Sequence, residues 1–377
     1  MKKICVVVAS RMNYGRVKTL MQSIKDHHDF DLLTIAGAST LLERFGNAVD
    51  VMRRDGFTPD KELYYLLEGS LPMTQAKSTG MGILELSTAF SELSPDAIVT
   101  VADRFETMST AISASYMNIP LIHLQGGEVS GNIDDKVRNA ITKLSDYHFT
   151  CSDESRKRVI EMGEDPDRVF NFGCPSLDLL NNQDLSISNE IMGDYIYLGD
   201  EINWELPYIL MIQHPVTTSY GQGFFQINET LHALSEIDDI QKIIMWPNVD
   251  AGTDEVSKGI RMFREKNLGS GFTYHKNFSP EIYSRIINNA ACCVGNSSSF
   301  IREASFLGVP AVMVGDRQKD REHGSNVIFS PHQKKEIYKR ILSQLDKNRF
   351  DQENIFGDGS AGINITKKLS EINFTLK

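Results

Sequence analysis

The sequence has few cysteines, and they are not spaced as metal ligands or redox pairs. Its 377 residues include five cysteines, an odd number without any Cys-x-x-Cys spacing. This pattern excludes a disulfide-stapled scaffold and argues against a structural zinc site. It favours a reducing, cytosolic compartment with buried free thiols at Cys5, Cys151, Cys174, Cys292 and Cys293.

Long hydrophobic runs are also missing. A membrane-spanning helix needs about 18 to 20 consecutive apolar residues, and no segment approaches that length. The apolar run at residues 4–9 ends at Ser10 and Arg11, which makes it too short for a secretory signal peptide. We therefore expect a cytoplasmic protein that does not associate with membranes.

An excess of positive charge is absent as well. The chain carries 39 Lys and Arg residues against 50 Asp and Glu residues, a formal net charge of −11. This acidic balance opposes attraction to nucleic acid or anionic lipid, so neither is an expected partner. A phosphate site would have to be built from a few local groups.

What the sequence does contain is an alternation of strand and helix patterns. Short, continuously apolar, β-branched runs indicate strands that are covered on both faces of a parallel sheet. Segments of helical period separate these runs, as in doubly wound α/β domains. The predicted strands lie at residues 4–9, 32–36, 97–101, 120–124, 148–151, 208–213, 242–246, 271–274, 291–295 and 310–314.

These patterns predict the fold class α/β, with two Rossmann-like doubly wound domains that face each other across a cleft. The length corresponds to two domains of about 100 to 200 residues each. Residues 1–180 form the first domain and residues 205–358 the second, because a polar stretch between them interrupts the alternation. Residues 359–377 are expected to form a helix that packs back on the first domain.

Polar residues follow the predicted strands of the first domain, where ligands bind in open α/β sheets. Taken one at a time, each carboxylate beside an arginine has a structural explanation, either as a helix cap or as half of an ion pair on one helix face. Together they are typical of an acid/base cluster. The candidates are Asp103, Arg104, Gln125, Glu128, Asp134 and Arg138.

A serine-rich turn in the second domain is the candidate anion site. Residues 294–303 pass from a strand through Ser297 and Ser298 into a predicted helix that ends near residue 308. Unpaired N–H groups there would favour a nucleotide diphosphate, whereas the alternative is that the serines are ordinary helix caps. The P-loop and three-glycine dinucleotide motifs are absent. Glu303 is placed to accept ribose hydroxyls, and Arg317 adds positive charge.

His214 follows another strand of this domain and immediately precedes a proline. It is expected at the mouth of the cleft, as a donor to phosphate or sugar. A structural histidine is the alternative.

Eight short motifs occur together, in order from end to end of the chain. They are Ser-Arg-Met-Asn-Tyr-Gly at 10–15, Ala-Asp-Arg at 102–104, Gly-Gly-Glu-Val-Ser-Gly-Asn-Ile-Asp-Asp at 126–135, Gln-His-Pro-Val-Thr-Thr at 213–218, Pro-Asn-Val-Asp-Ala-Gly at 247–252, Gly-Asn-Ser-Ser at 295–298, Arg-Gln at 317–318 and Gly-Asp-Gly at 357–359. With them the chain resembles the hydrolysing UDP-N-acetylglucosamine 2-epimerases of sialic and related nonulosonic acid biosynthesis.

The resemblance implies a GT-B fold with the nucleotide on the C-terminal lobe and the sugar chemistry on the N-terminal lobe. It also implies a reaction without metal or redox cofactor. A base removes the C2 proton of the sugar as the nucleoside diphosphate leaves C1, and water then adds to the resulting 2-acetamidoglucal with C2 inverted. Free N-acetylmannosamine is released.

Carried onto this sequence, the resemblance makes Asp103 and Asp134 the acid/base candidates and Arg138 their charge partner. Gln125 stands where many members have a glutamate that takes part in proton transfer. Because an amide cannot do this, the role passes to Asp103, Glu128 or Asp134. The residues expected to hold the nucleotide are Arg11, Arg104, His214, Asn248, Asn296, Ser297, Ser298, Glu303 and Arg317.

Other departures from the family pattern leave substrate identity open. Ala102 replaces the usual glycine before Asp-Arg, Thr40 lies where a histidine is common, and Asp320 replaces a glycine after Arg-Gln. The expected ligand is a UDP- or GDP-linked 2-acetamido sugar, either N-acetylglucosamine or a 2,4-diacetamido-2,4,6-trideoxyhexose. The resemblance further implies a homodimer or homotetramer.

Three other functions remain open from the sequence. A non-hydrolysing 2-epimerase would retain the nucleotide on its product, and usually has a Glu-Ala-Gly-Leu-Arg-Thr type segment where residues 125–128 read Gln-Gly-Gly-Glu. A GT-B glycosyltransferase would need an acceptor sugar. A non-catalytic sugar-nucleotide sensor would bind without turnover.

Overall fold

The computed structural model describes residues 1–69, 71–130, 133–193, 197–247, 250–267, 269–347 and 349–377. The chain divides into two compact units. Unit 1 contains Met1–Glu128, Ile133–Asn181 and Phe356–Lys377, and the greater part of unit 2 is Asn182–Ile355.

Unit 1 is built on a seven-stranded parallel sheet with the strand order β3-β2-β1-β4-β5-β6-β7. Its central strands are buried because apolar side chains point to both faces. In the first strand Ile4 and Val6 enter one hydrophobic cluster, while Cys5 and Val7 enter the other. The strands are β1 (Lys2–Val8), β2 (Phe30–Gly37), β3 (Lys61–Leu63), β4 (Ala97–Val101), β5 (Leu121–Leu124), β6 (Tyr147–Thr150) and β7 (Val169–Asn171).

Helices connect these strands in the way that parallel pairing requires. Ser10 caps the first of them, since its hydroxyl accepts a hydrogen bond from the N–H of Asn13. The helices are α1 (Arg11–Asp26), α2 (Ala48–Arg54), α3 (Pro72–Leu93), α4 (Phe105–Tyr116), α5 (Ile133–Leu144), α6 (Asp153–Glu161) and α7 (Asp178–Asn182).

Unit 2 repeats the arrangement with the strand order β14-β13-β12-β9-β10-β11-β8. Only β8 is antiparallel among the described strands, at the edge beside β11. The strands are β8 (Leu198–Gly199), β9 (Tyr208–Ile212), β10 (Gln241–Met245), β11 (Phe272–His275), β12 (Cys292–Gly295), β13 (Ala311–Val314) and β14 (Val327–Ser330). The helices are α8 (Asn189–Met192), α9 (Gly223–Leu234), α10 (Thr253–Lys266), α11 (Pro280–Asn289), α12 (Glu303–Leu307) and α13 (Lys334–Leu345).

The last helix, α14 (Ala361–Glu371), belongs to unit 1 and packs against α1. Asp178 caps it from a distant part of the chain. Its carboxylate accepts hydrogen bonds from the N–H groups of Ala361 and Gly362, at 2.9 and 2.7 Å, and from the Thr19 hydroxyl at 2.9 Å. A carboxylate at a helix N-terminus is favoured by the unpaired N–H groups there, so this cap fixes the helix to unit 1.

All five cysteines are buried free thiols, which confirms that part of the sequence prediction. Within the described residues, no helix combines the length and apolar composition needed to cross a bilayer.

A buried carboxylate holds the C-terminal residues against unit 1 and should make its stability depend on pH. Glu164 accepts hydrogen bonds from Lys143, from His148 at 3.2 Å and from Lys377 at 2.7 Å. Burial raises the pKa of Glu164, but these bonds outweigh it and lower the pKa to about 2. The stabilisation is therefore fully present above the ordinary value of 4.5 and is lost as the pH falls from there towards 2.

We expect Glu164→Gln to lower the free energy of unfolding at pH 6, with the difference from wild type shrinking towards pH 2. Urea unfolding across this range measures it. Glu161→Gln, at an exposed glutamate three residues earlier at the end of α6, is the control. Equal pH dependence in wild type and Glu164→Gln would contradict the prediction.

Candidate functional site

Both groups of candidate residues follow central strands at the point where the strand order of each sheet reverses. In unit 1, β1 has β2 on one side and β4 on the other. Arg11 follows β1 and Asp103 follows β4. In unit 2, β9 lies between β10 and β12, and His214 and Asn296 follow β9 and β12. Crevices at such reversal points are where doubly wound sheets bind ligands.

The centre of the unit 1 site is the buried guanidinium of Arg138. It forms an ion pair with the Asp103 carboxylate, donates to the Asp135 carboxylate at 2.5 Å and donates to the Glu128 carbonyl oxygen at 2.5 Å. The Arg138 side chain is fully buried, whereas that of Asp103 is 14% exposed. Burial lowers the pKa of Arg138, but the two carboxylates outweigh it and raise the pKa. The guanidinium therefore stays charged beside the partly exposed Asp103 carboxylate.

Glu128 and Asp134 lie next to this centre in sequence. Glu128 is buried, and its backbone is held by Arg138. Asp134 is partly buried in the first turn of α5, where the helix dipole favours a carboxylate. A Cβ on Gly127 would overlap the carbonyl oxygen of Ser155, and its φ is +78°. The segment leading to Glu128 is therefore closely packed against α6.

Gln125 is buried at the end of β5 in the left-handed region, with φ +67°. Its Nε2 donates to Cys174 Sγ at 3.1 Å, and Cys174 Sγ lies 3.2 Å from the Ser176 hydroxyl. Its carbonyl Oε1 is buried without a hydrogen-bond partner among the described residues. The amide thus offers an acceptor to a ligand and no proton to transfer.

The two candidate arginines of unit 1 have different surroundings. Arg11 is the first residue of α1 and is partly buried. Arg104 is 4% exposed, and its Nε donates to the buried carboxylate of Glu106 at 2.7 Å. The structure places Arg104 in an internal ion pair directly before α4.

In unit 2, the Asn296 side chain ties two strand ends together. Its Oδ1 accepts the N–H of His214 at 2.7 Å, and its Nδ2 donates to the His214 carbonyl at 2.9 Å. The Asn296 carbonyl accepts from Arg317 at 3.3 Å and from Gln318 at 3.2 Å. Asn296 therefore holds His214 and Arg317 in place through its own side chain and backbone.

The serine turn departs from the predicted helix start. Residues Ser298–Phe300 form a 3-10 turn, and the α-helix begins only at Glu303 and lasts five residues. Ser297 accepts the N–H of Ser299, and the Ser299 hydroxyl also lies 2.5 Å from Tyr283 Oη. Such local side-chain bonds compete with helical ones, so the expectation of a helix opening at these serines was wrong. The helix does end at Gly308 as predicted.

Glu303 and Arg317 complete the described part of the unit 2 group. Glu303 Oε2 is buried without a hydrogen-bond partner among the described residues. Arg317 is 8% exposed and lies 3.7 Å from the Asp250 carboxylate. Asn248, the other predicted ligand residue, lies outside the described residues.

The sequence profile of the UDP-N-acetylglucosamine 2-epimerases matches residues 22–370. The chain belongs to this family. A UDP-N,N'-diacetylbacillosamine 2-epimerase (hydrolyzing) of Legionella pneumophila is 29% identical, over 95% of this chain and 93% of its own length. A GDP/UDP-N,N'-diacetylbacillosamine 2-epimerase (hydrolyzing) of Campylobacter jejuni is 30% identical, over 87% and 84%.

The fold of this 2-epimerase matches that of solved family members. The crystal structure of Methanocaldococcus jannaschii UDP-GlcNAc 2-epimerase in complex with UDP-GlcNAc and UDP aligns with a TM-score of 0.80 at 18% identity, covering 98% of this chain and 100% of that one. The prediction of two Rossmann-like domains of the GT-B class is confirmed, as is that of a hydrolysing 2-epimerase.

Sequence reasoning missed several residues that shape the epimerase's two residue groups. Asp135 contacts Arg138, Glu106 neutralises Arg104, and Cys174 contacts Gln125. The first could have been found, because residues three and four apart share a helix face. The contact with Cys174 spans 49 residues and leaves no local signal.

Proposed function

We propose that the chain hydrolyses and epimerises a UDP- or GDP-linked 2-acetamido sugar, releasing a free N-acetylmannosamine-type sugar and the nucleoside diphosphate. The sugar is N-acetylglucosamine or a 2,4-diacetamido-2,4,6-trideoxyhexose, in a pathway to sialic or legionaminic-type acids. The observation that carries the proposal is the accessible Asp103 carboxylate on a fully buried arginine.

The proposed first step is an elimination. Asp103 accepts the C2 proton, the C1–O bond breaks with its electron pair moving to the diphosphate, and a C1–C2 double bond forms. Arg138 holds the Asp103 carboxylate in one orientation, and a base must first be positioned within reach of the proton that it accepts. Asp134 or Glu128 takes the complementary acid role, because the Gln125 amide cannot exchange a proton at neutral pH.

Hydration then completes the reaction. A proton returns to C2 from the opposite face and a water hydroxyl adds to C1, so one water is consumed per sugar nucleotide. Elimination followed by hydration is redox-neutral overall and calls for no redox cofactor. The Oε1 acceptor of Gln125 is available to an N–H or O–H of the sugar.

The nucleotide is assigned to unit 2, where His214, Ser297, Ser298 and Arg317 supply charge and donors for the diphosphate, and Asn248 and Asn296 support them. Within unit 1, Arg11 and Arg104 are candidates for binding an anionic group; Arg104 acts there as an N–H donor, because Glu106 balances its charge. A guanidinium suits a diphosphate because it donates several hydrogen bonds in one plane. Glu303, whose Oε2 is buried without a described partner, accepts the ribose hydroxyls.

A substrate screen tests the proposal. The enzyme is incubated separately with UDP-N-acetylglucosamine and with UDP- and GDP-linked diacetamido sugars in D2O, and products are identified by NMR. We expect a free sugar with inverted C2, one deuterium at C2 and an equal amount of nucleoside diphosphate. A reversible nucleotide-linked epimer, a requirement for an acceptor sugar, or binding without turnover would each overturn it.

The role of Glu303 gives a separate prediction. Glu303→Gln should raise KM for the sugar nucleotide by about 10- to 100-fold, since hydrogen bonds to a charged group contribute about 1.5 to 3 kcal/mol. The value of kcat should change by less than about fivefold, because ribose contacts are the same in ground and transition state. Steady-state kinetics measures both values, with Glu265→Gln, at an exposed glutamate, as the control. An unchanged KM in Glu303→Gln would show that Glu303 does not bind the substrate.

The proposal extends to a cytoplasmic location, which the cysteine pattern and the short apolar runs favour, and to a homodimer or homotetramer, which the family resemblance implies. Light scattering of the purified protein measures the oligomeric state, and a monomer would contradict that part.

A further inference from the structure

His123 is a fully buried histidine of β5 that the proposed reaction does not use. Its Nε2 lies 2.9 Å from the carbonyl oxygen of Ala102, and its Nδ1 lies 3.2 Å from the Thr142 hydroxyl. Because a carbonyl oxygen only accepts, the ring proton is on Nε2, and Nδ1 accepts from Thr142. Burial lowers the pKa of His123 to about 3, so the ring is neutral with this single tautomer.

The carbonyl that His123 holds belongs to the peptide between Ala102 and Asp103. Ala102 has φ +67°, a conformation that costs a residue with a side chain about 1 to 2 kcal/mol and persists only where its surroundings enforce it. Its N–H donates to the Leu124 carbonyl at 3.0 Å. Both polar groups of Ala102 are thus tied to β5, and this orientation sets the direction in which Asp103 leaves the strand.

The other side of the ring is fixed to the helix that carries Arg138. Thr142 lies four residues after Arg138 in α5, about one turn further along. A Cβ on Gly126 would lie 3.1 Å from His123 Nδ1 and 3.1 Å from Thr142 Oγ1, so there is no spare room beside this contact. One ring therefore connects the backbone of Asp103 to the helix of its charge partner.

We propose that His123 is a positioning residue for the reaction, which orients the Asp103 carboxylate by holding the peptide before it, with Thr142 fixing the ring. The inference rests on the proposed role of Asp103. Proton transfer is sensitive to such positioning, because a displacement of about 1 Å at a reacting group can cost about 100-fold in rate.

Two substitutions at position 123 distinguish the role of Nε2 from that of Nδ1. Glutamine at position 123 can place its amide nitrogen near the position of Nε2 and keep the donor to Ala102, while asparagine reaches only the position of Nδ1. We expect His123→Gln to lower kcat by less than about 5-fold and His123→Asn by about 30- to 100-fold. KM should stay within about threefold for both, since neither touches the nucleotide.

His148 provides a matched control. It lies opposite His123 in the register of β5 and β6, is equally buried, and contacts Glu164 instead of the Asp103 peptide. His148→Gln and His148→Asn should both affect thermal stability. The kcat per folded molecule should be the same in these two variants. The inference would be overturned if His123→Gln and His123→Asn lost kcat equally. It would also be overturned if His148→Gln and His148→Asn differed in kcat as much as the two variants at position 123 do.

Thr142 keeps the inference testable if His123→Asn does not fold. Thr142→Val should lower kcat by about 5- to 10-fold at unchanged KM, and Thr142→Ser should recover most of that loss because it restores the hydroxyl. An unaffected kcat in Thr142→Val would contradict the coupling. A failure of the proposed function looks different, since the wild type would then release no free sugar with inverted C2. A failure of the role of Asp103 alone would leave the kcat of Asp103→Asn unchanged, whatever the variants at position 123 do.

Discussion

Asp103→Asn is expected to lower kcat by about 10²- to 10⁴-fold, the contribution typical of a positioned general base. The amide has nearly the same size and fills the same place, but it cannot accept the C2 proton. KM should remain within about threefold, because the lost interaction acts in the transition state. Release of nucleoside diphosphate under saturating sugar nucleotide measures the effect.

Asp135→Asn is the control for the ion pair. Both carboxylates contact Arg138, but the Asp135 side chain is 25% exposed and on the same helix as the arginine. If the effect of Asp103→Asn came only from leaving a buried charge underpaired, Asp135→Asn would reduce kcat as much. We expect Asp135→Asn to lower kcat by less than about tenfold, as for a group outside the proton transfer. Equal losses would assign Asp103 a structural role.

Gly295→Ala is expected to lower the free energy of unfolding of unit 2 by about 4 kcal/mol or more. Gly295 has φ +135°, and a Cβ there would overlap the Ile212 carbonyl oxygen. That oxygen accepts the N–H of Asn296 at 3.0 Å. The methyl group would therefore push apart the two strand ends that present His214 and the serine turn.

The two tryptophans of the chain, Trp204 and Trp246, both lie in unit 2. Urea unfolding followed by tryptophan fluorescence therefore reports on this unit. Gly269→Ala is the control, since Gly269 has φ +77° but open space around its Cβ position, and should cost only about 1 to 2 kcal/mol. Equal midpoints for the two variants would show that the clash with Ile212 is relieved without cost.

Central strands were predictable from sequence, and edge strands were not. The apolar runs at residues 97–101 and 208–213 correspond to Ala97–Val101 and Tyr208–Ile212, which are fully buried in the structure. The four strands without a prediction, β3, β7, β8 and β14, are the outermost strands of the described sheets. They have two to four residues and partly exposed side chains, so they lack the continuous apolar pattern of a doubly covered strand.

For the candidate site, the sequence predicted which residue types take part and where they lie in the chain. It did not predict most of the contacts that these residues make. The rule that ligands bind at strand ends selected Asp103, Gln125 and His214. It could not show that Arg104 is neutralised by Glu106, or that His123 holds the peptide before Asp103, because these depend on where side chains point.

The sequence by itself determined that this chain is an acidic α/β protein with two doubly wound domains and the ordered motifs of a 2-epimerase. These properties are local, because strand burial, helix period and short motifs depend on residues that are neighbours in the sequence. The tertiary structure alone decided that Asp103 and Asp135 share one buried arginine, that Asp178 caps a helix 183 residues away, and that Asn296 positions His214. Such contacts join residues far apart in the chain, and their energies depend on burial and distance, which become defined only when the chain is packed.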